Sequence, residues 1–153
     1  MQEKFMKMAI KQAMKAVLKD EVPIGAVIVK DGVVLSRAYN LVEKRQDPTA
    51  HAEILAITKA CKKVGSWRLD GAEMYVTMEP CPMCAGAIVN ARISKVYFGA
   101  YESKSGGAIS KFCILTDSGL NHKTQFEGGL LQENCANIIK NYFKGKRCIK
   151  SLD

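Results

Sequence analysis

Residues 73–89 contain the change from strand to helix that decides the fold: Glu73-Met74-Tyr75-Val76-Thr77-Met78-Glu79-Pro80-Cys81-Pro82-Met83-Cys84-Ala85-Gly86-Ala87-Ile88-Val89. The first six residues predict a strand, and Pro82 suits the first position of a helix. A spacing of three residues places Cys81 and Cys84 on one face at the start of that helix. Its positive end favours thiolates, which are the species that bind metals.

A second polar motif, Thr49-Ala50-His51-Ala52-Glu53, opens another predicted helix. This helix is expected to run from about Ala50 to Val64, with Thr49 as its cap and Gly65 as its stop. Because residues two apart point to different sides of a helix, His51 and Glu53 can share one site only by flanking it at the helix's open end.

A hairpin is predicted before these helices, since Asp31-Gly32 separates the apolar runs 26–29 and 33–40. An amphipathic helix precedes the hairpin, with apolar positions Met6, Ile10, Ala13, Met14 and Val17. The polar residues 41–48 are expected to form a loop.

The remaining elements are a strand at 95–100, a polar loop at 101–110, a short edge strand at 123–126 and a final amphipathic helix. The apolar face of that helix comprises Cys135, Ile138, Ile139, Tyr142 and Phe143. Strands and helices that alternate after a hairpin predict an α/β fold with three α-β-α layers and a five-stranded mixed sheet. One domain is expected over 1–153, including a basic helix or tail at about 133–153.

The net charge of +8, from 23 Lys and Arg against 15 Asp and Glu, suggests a polyanionic partner. The last fourteen residues concentrate positive charge in Lys140, Lys144, Lys146, Arg147 and Lys150. No long apolar run or signal peptide is present, so no membrane association is expected. Six cysteines are too few for a disulfide scaffold, which favours the reducing cytoplasm.

Together the two motifs predict a catalytic zinc site with one Zn²⁺ per chain. His51, Cys81 and Cys84 supply three ligands and leave the fourth position open for water. Glu53 can accept the proton of that water and later protonate a ring nitrogen and a leaving amine. Addition of water to a C=N bond followed by loss of ammonia is hydrolytic deamination.

A structural zinc site is the alternative, because Cys-x-x-Cys alone is more often half of such a site or a redox pair. Cys61 would lie about 15 Å along the helix from His51, out of reach of the metal. His122, Cys113 and Cys135 remain possible fourth ligands, so a structural-zinc RNA-binding module stays open as a non-enzymatic function.

The combined motifs resemble the bacterial tRNA-specific adenosine deaminases, which share the H-x-E and P-C-x-x-C signature of the zinc-dependent cytidine and deoxycytidylate deaminase superfamily. The similarity spans nearly the whole chain, and it is carried by residues 22–27, Asn40, 47–53, 75–87, 96–100, 121–122 and the helix around Cys135. It implies a cytidine-deaminase-like fold and a homodimer that converts the wobble adenosine of a tRNA anticodon stem-loop to inosine.

The resemblance also implies roles for individual residues. His51, Cys81 and Cys84 match the zinc ligands, Glu53 matches the proton shuttle, and Asn40, Ala52 and Asn121 match substrate-binding positions. Where the family usually has Asp-Pro-Lys, this chain has Glu102-Ser103-Lys104. Glu102 and Lys104 are therefore candidate substrate contacts on an altered loop.

The zinc motif does not choose the substrate, and a free nucleobase or nucleotide deaminase acting on guanine, cytidine or deoxycytidylate is the enzymatic alternative. A basic last helix favours RNA, because Lys144, Lys146 and Arg147 can contact the phosphates of an anticodon stem-loop. No DNA partner is expected.

Overall fold

The computed structural model describes residues 1–117 and 119–150, with the side chains of residues 148–150 outside the description. Its centre is a mixed sheet of β1 (Gly25–Lys30), β2 (Val33–Tyr39), β3 (Glu73–Met78), β4 (Lys95–Ala100) and β5 (Gln125–Gly128). The strand order is β2-β1-β3-β4-β5. β1 is antiparallel to both β2 and β3, whereas β3, β4 and β5 are parallel.

The helices are α1 (Gln2–Leu18), α2 (Val42–Arg45), α3 (Ala52–Val64), α4 (Pro82–Asn90) and α5 (Gln132–Lys150). One face of the sheet packs against α3 and α4 through buried residues such as Leu55 and Ile88. The other face packs against α1 and α5 through Phe5, Met6 and Cys135. The predicted three-layer α/β fold with a five-stranded mixed sheet is therefore confirmed.

The predicted hairpin joins β1 to β2 through Asp31 and Gly32. Both turn residues have positive φ, 50° for Asp31 and 75° for Gly32. This geometry is that of the tight turn that Asp-Gly favours, because its twist matches that of the flanking strands.

The buried face of α1 differs from the predicted one. Phe5, Met6, Ala9, Ala13 and Ala16 are buried, whereas Met14 is 50% exposed. Small residues face the sheet because α1 crosses β1 closely: a Cβ added to Gly25 would overlap the backbone of Ala9 and Ala13. Alanine side chains permit this distance, and longer ones would not.

The segment predicted as a loop at 41–48 contains α2, so that prediction is wrong over Val42–Arg45. A buried carboxylate from another part of the chain explains the short helix. Oε1 of Glu21 accepts the backbone N–H of Glu43 at 2.8 Å, and Oε2 accepts that of Lys44 at 3.0 Å. These bonds satisfy N–H groups that a helix start leaves unpaired.

The start of α3 was also misplaced, since the helix begins at Ala52 with His51 as its N-cap residue. Thr49 does not cap it, because the Thr49 backbone N–H and hydroxyl both donate to Asp47 Oδ1, at 2.8 and 2.7 Å. Gly65 ends the helix with φ of 71°, as predicted.

Near the carboxyl end, β5 covers 125–128 and not 123–126. The face of α5 that was predicted to be apolar is only partly covered: Cys135 is buried, but Phe143 is 43% exposed. Residues 151–153 of the predicted tail, together with the side chains of Cys148 and Lys150, lie outside the described residues. None of the helices in the described part of the chain combines the length and apolar character needed to cross a bilayer.

Candidate metal and active site

Two helix starts meet at the carboxyl ends of the central strands. β3 ends at Met78, and the chain then reaches Cys81, the N-cap residue of α4. The backbone N–H of Glu79 donates to Ala100 O at the end of β4, at 2.8 Å. His51 is the N-cap residue of α3. Open α/β sheets form ligand sites at this edge, because the helices that follow the strands begin there.

The three predicted metal ligands lie together. His51 Nδ1 is 3.7 Å from Cys81 Sγ and 3.5 Å from Cys84 Sγ. All three ligand atoms lie within 4.8 Å of one another. Ligand atoms that surround one zinc ion tetrahedrally are roughly 3.5 Å apart. The spacing therefore fits a single zinc-sized ion bound by one nitrogen and two sulfurs.

Within the described residues, no fourth His, Cys, Asp or Glu joins His51, Cys81 and Cys84. This is also the one group of three or more such side chains there that could hold a metal ion. His122 Nε2 instead donates to Ile93 O at 2.9 Å. Cys135 is buried against Gly99, and Cys113 is exposed. A three-ligand group is typical of catalytic sites, since structural zinc sites usually have four.

The pKa values of the two cysteines favour the binding of a cation. A hydrogen bond from Cys84 lowers the pKa of Cys81 to about 4. The same bond, together with burial, raises the pKa of Cys84. The pair therefore carries one thiolate at neutral pH, which is the form that ligates metals.

Glu53 lies beside the metal-binding group and is only 3% exposed. Burial raises the pKa of its carboxyl to about 7. Its Oε1 is buried and, within the described structure, has no hydrogen-bond partner. An unpaired buried oxygen is costly unless a bound molecule uses it. The donor set and this oxygen together fit a catalytic zinc ion and a substrate or water molecule beside it.

A cavity of about 240 Å³ opens above these groups. His51, Glu53, Glu79 and Cys81 line it together with Glu102 and Ser105, from the loop after β4. Apolar walls come from three other segments: Val22 and Ile24 before β1, Met78 at the end of β3, and Ile139 and Phe143 of α5. The lining thus combines polar side chains, including those of the metal-binding group, with apolar side chains from three segments.

Most of these wall residues were not predicted as site residues. The sequence pattern predicts only that Ile139 and Phe143 lie on the apolar face of the last helix. A helix that ends in a basic, exposed segment cannot bury its whole apolar face, and this was the signal that could have identified them. Glu79 was quoted within the cysteine motif but given no role.

The other predicted substrate residues are more dispersed, and the walls of the cavity do not include them. Asn40 is buried, and its backbone N–H donates to the carbonyl of the wall residue Ile24 at 3.1 Å. Ala52 is fully buried, whereas Lys104 and Asn121 are exposed. The backbone N–H of Lys104 donates to Glu102 Oε1 at 2.9 Å.

The predicted phosphate-binding residues lie on the last turns of α5. Lys144 and Arg147 are exposed. Lys146 forms an ion pair with Asp20, at 3.1 Å between Nζ and Oδ1, and Tyr142 OH donates to the same oxygen. Part of the positive charge of Lys146 is therefore balanced within the protein.

Comparison with known proteins places the chain in a family. Residues 1–147 match the model of the MafB19-like deaminases. The tRNA-specific adenosine deaminase of Bacillus subtilis (strain 168) is 48% identical over 145 residues, covering 95% of this chain and 90% of that protein. The enzyme of the same name from Aquifex aeolicus (strain VF5) is 47% identical and covers 95% of each.

Solved structures of deaminases also resemble this chain. A structure from a study of A-to-I editing by tRNA:A34 deaminases at the wobble position superposes with a TM-score of 0.85 and 44% identity, covering 88% of this chain and 98% of that one. A guanine deaminase from Bacillus subtilis gives a TM-score of 0.63 and 44% identity, covering 72% of this chain and 69% of its own. The chain therefore belongs to the MafB19-like deaminases and to the family of tRNA-specific adenosine deaminases.

Proposed function

We propose that this protein is a zinc-dependent hydrolase that converts the wobble adenosine of a tRNA anticodon to inosine. The observation that carries the proposal is the buried Glu53 carboxylate, with an unpaired oxygen, beside a three-ligand His51, Cys81 and Cys84 group in one cavity. Two relatives that are 48% and 47% identical over 95% of the chain are named tRNA-specific adenosine deaminases.

His51 Nδ1 and the two sulfurs would hold the zinc ion. When bound, zinc makes water a sufficiently strong nucleophile at neutral pH. His51 and Cys81 line the cavity, so a base that enters it would lie beside the residues that would hold the zinc ion. Apolar walls exclude bulk water and thereby strengthen the electrostatic interactions inside.

Glu53 would carry the protons. Its carboxylate takes a proton from the attacking water and passes it to ring nitrogen N1 as oxygen adds to C6 of adenine. Glu53 then takes the remaining proton from the hydroxyl on C6 and gives it to the exocyclic nitrogen, so that the C6–N6 bond breaks, ammonia leaves and the C6 carbonyl of inosine forms. One water is consumed, and inosine and ammonia are formed.

The wall residues suit a flipped-out purine. Val22, Ile24 and Phe143 offer apolar surfaces against which a base can stack, and the same cavity is lined by the polar side chains of His51 and Glu53. A nucleotide on which an enzyme acts must leave its stack to reach such a pocket. We assign substrate contacts to Asn40, Ala52, Glu102, Lys104 and Asn121, and phosphate contacts to Lys144, Lys146 and Arg147.

Free guanine is the second candidate substrate, because a guanine deaminase structure is 44% identical over 72% of this chain. Two observations favour tRNA over guanine. The relatives that are about half identical over 95% of the chain are tRNA-specific adenosine deaminases. In addition, the exposed cations at the end of α5 can contact the phosphates of RNA, whereas an uncharged free base offers them no phosphate.

We also propose a homodimer that acts in the cytoplasm, where its tRNA substrate is found. Exposed apolar side chains on α4 and on the loop after β4, namely Met83, Tyr101, Ile109 and Phe112, are available for contact with a second chain. Sedimentation velocity should give about twice the mass of one chain, and a species of one chain mass would reject the dimer.

The test is a substrate panel. Purified zinc-loaded protein is incubated with unmodified tRNA carrying adenosine at the wobble position, and separately with guanine, cytidine and deoxycytidylate. Inosine at the wobble position and an equal amount of ammonia are expected from tRNA alone. Release of ammonia from guanine, with no inosine in tRNA, would establish the alternative.

A further inference from the structure

Glu79 is a buried carboxylate that the proposed reaction does not use. It lies between β3 and the metal-binding cysteines and is 3% exposed. A carboxylate without partners in such a place would be strongly destabilising. The partners of its hydrogen bonds therefore indicate the structural role of this carboxylate.

All the hydrogen bonds to the Glu79 carboxylate come from one loop, the segment after β4. Oε2 accepts the backbone N–H groups of Ala108, Ile109 and Ser110, at 3.2, 2.9 and 3.0 Å. Oε1 accepts the backbone N–H of Glu102 at 3.1 Å and the hydroxyl of Ser110. One side chain thus ties both ends of the segment 102–110, which has no helix or strand of its own.

Two glycines bring the loop close to the cysteine motif. A Cβ at Gly106 would overlap the Glu79 carboxylate, and a Cβ at Gly107 would lie 3.0 Å from the carbonyl oxygen of Cys81. The backbone N–H of Gly107 donates to Pro80 O at 2.6 Å. The loop therefore lies directly on the backbone that carries the metal ligand Cys81.

The held segment supplies one wall of the cavity. Glu102 and Ser105 line the same cavity as His51 and Glu53. The Glu102 N–H is the first anchor point of the loop, and Ser105 lies between it and the second anchor, the N–H groups of residues 108–110. Loss of the hydrogen bonds to Glu79 would leave His51, Cys81 and Cys84 in place. It would, however, free the segment that carries Glu102 and Ser105.

We propose that Glu79 is a positioning residue whose carboxylate holds the 102–110 loop against the Pro80–Cys81 backbone and so sets the Glu102 and Ser105 wall that receives the substrate. Binding at the cavity then depends on five hydrogen bonds that Glu79, which also lines the cavity, accepts from this loop. The kinetic part of this inference rests on the proposed function, whereas the structural part does not.

Glu79→Gln tests the inference, because an amide has one oxygen in place of two and turns a donor toward backbone N–H groups. Hydrogen exchange is measured on the zinc-loaded protein at the amides of Glu102, Ala108, Ile109 and Ser110. We expect exchange at these amides to rise at least about tenfold, while the β4 amide of Phe98 and the zinc content stay unchanged. Unchanged exchange at the loop amides would overturn the proposal, whatever the substrate.

Kinetics on tRNA provide the second measurement. Misplacement of a substrate-positioning wall can lower kcat/KM by about 10- to 100-fold, and we expect most of this loss in KM. Gly106→Ala should reproduce it, because its Cβ displaces the same carboxylate contact. Val29→Ala is the control: this residue is buried at the far end of β1 and reports general destabilisation.

The outcomes are distinct. An equal rise in KM for Val29→Ala would mean that general destabilisation is responsible, and would overturn the positioning role. A fall in kcat alone, with KM unchanged, would also overturn it. If the wild-type protein forms no inosine, the proposed function fails, and hydrogen exchange alone decides the role of Glu79.

Discussion

At the scale of single residues, the site depends on where three side chains stand relative to helix starts. His51 and Cys81 are both N-cap residues, outside the helical hydrogen-bond ladder, and Cys84 follows within the first turn of α4. Such positions point side chains toward the positive ends of two helices, where an anionic sulfur is favoured. A metal centre can therefore form from two segments that are distant in sequence.

Cys84→Ser should remove the metal. A serine hydroxyl is a far weaker zinc ligand than a thiolate, so we expect the zinc content to fall from about one per chain to well under half. Cys113→Ser is the matched control, because Cys113 is exposed and outside the metal group. Zinc is measured by atomic emission on both purified variants, and full zinc content in Cys84→Ser would show that this sulfur is not a ligand.

The sequence could predict the metal-binding group, but it could not predict the hydrogen bonds by which Glu79 holds the neighbouring loop. His-x-Glu and Pro-Cys-x-x-Cys are local patterns whose residue types and spacing carry their chemistry. Glu79 instead accepts N–H groups from residues 23 to 31 positions later. No local pattern encodes such contacts, because they depend on how β3 and β4 pair and where the next loop returns.

At the scale of elements, α5 has two roles. Its Ile139 and Phe143 wall the cavity, and its last turns expose Lys144 and Arg147. The ion pair of Lys146 with Asp20 joins these turns to the end of α1. An exposed pair of this kind contributes little stability, so we assign it to orienting the helix end.

Lys144→Gln with Arg147→Gln should weaken tRNA binding and reduce its dependence on salt. Each phosphate contact contributes about 0.7 to 0.9 to the slope of log K against log salt, so the slope should fall by roughly one to two. Binding is measured by fluorescence anisotropy at several salt concentrations. The control is Lys7→Gln with Lys11→Gln, two exposed lysines of α1. An equal change in both double variants would mean that net charge alone attracts the RNA.

Element prediction succeeded where the signal was local and failed where it was tertiary. Asp31-Gly32 between two apolar runs was sufficient for the hairpin. α2 was missed because its start is capped by Glu21, a residue 22 positions earlier. The buried face of α1 was misjudged because the close approach at Gly25 selects alanines over larger apolar residues.

At the scale of the whole molecule, the sheet brings the site together. β1 lies between β2 and β3, so that the segments following β2, β3 and β4 all reach the same end of the sheet. A metal held by His51, Cys81 and Cys84 would link α3 to α4, and the Cys81 backbone lies next to the loop that Glu79 holds. Metal binding should therefore stabilise the entire fold, because it binds the folded state alone.

Removal of zinc with a chelator should lower the melting temperature and abolish deamination. For a chain of this size, each kcal/mol of lost binding free energy corresponds to about 2–4 °C. Differential scanning calorimetry before and after chelation gives the shift, and added zinc should restore both properties whereas added magnesium should not. An unaltered melting temperature together with full activity would exclude a resident metal.

The most direct test of the central claim compares wild-type protein with Glu53→Gln for both zinc content and inosine formation in a single-turnover assay on tRNA. Both proteins should contain about one zinc per chain, while the rate should fall by about 100- to 10,000-fold in Glu53→Gln, the range of a lost acid–base group. Glu3→Gln, on the exposed face of α1, should keep the full rate. Inosine formation at the wild-type rate by zinc-loaded Glu53→Gln would contradict the account.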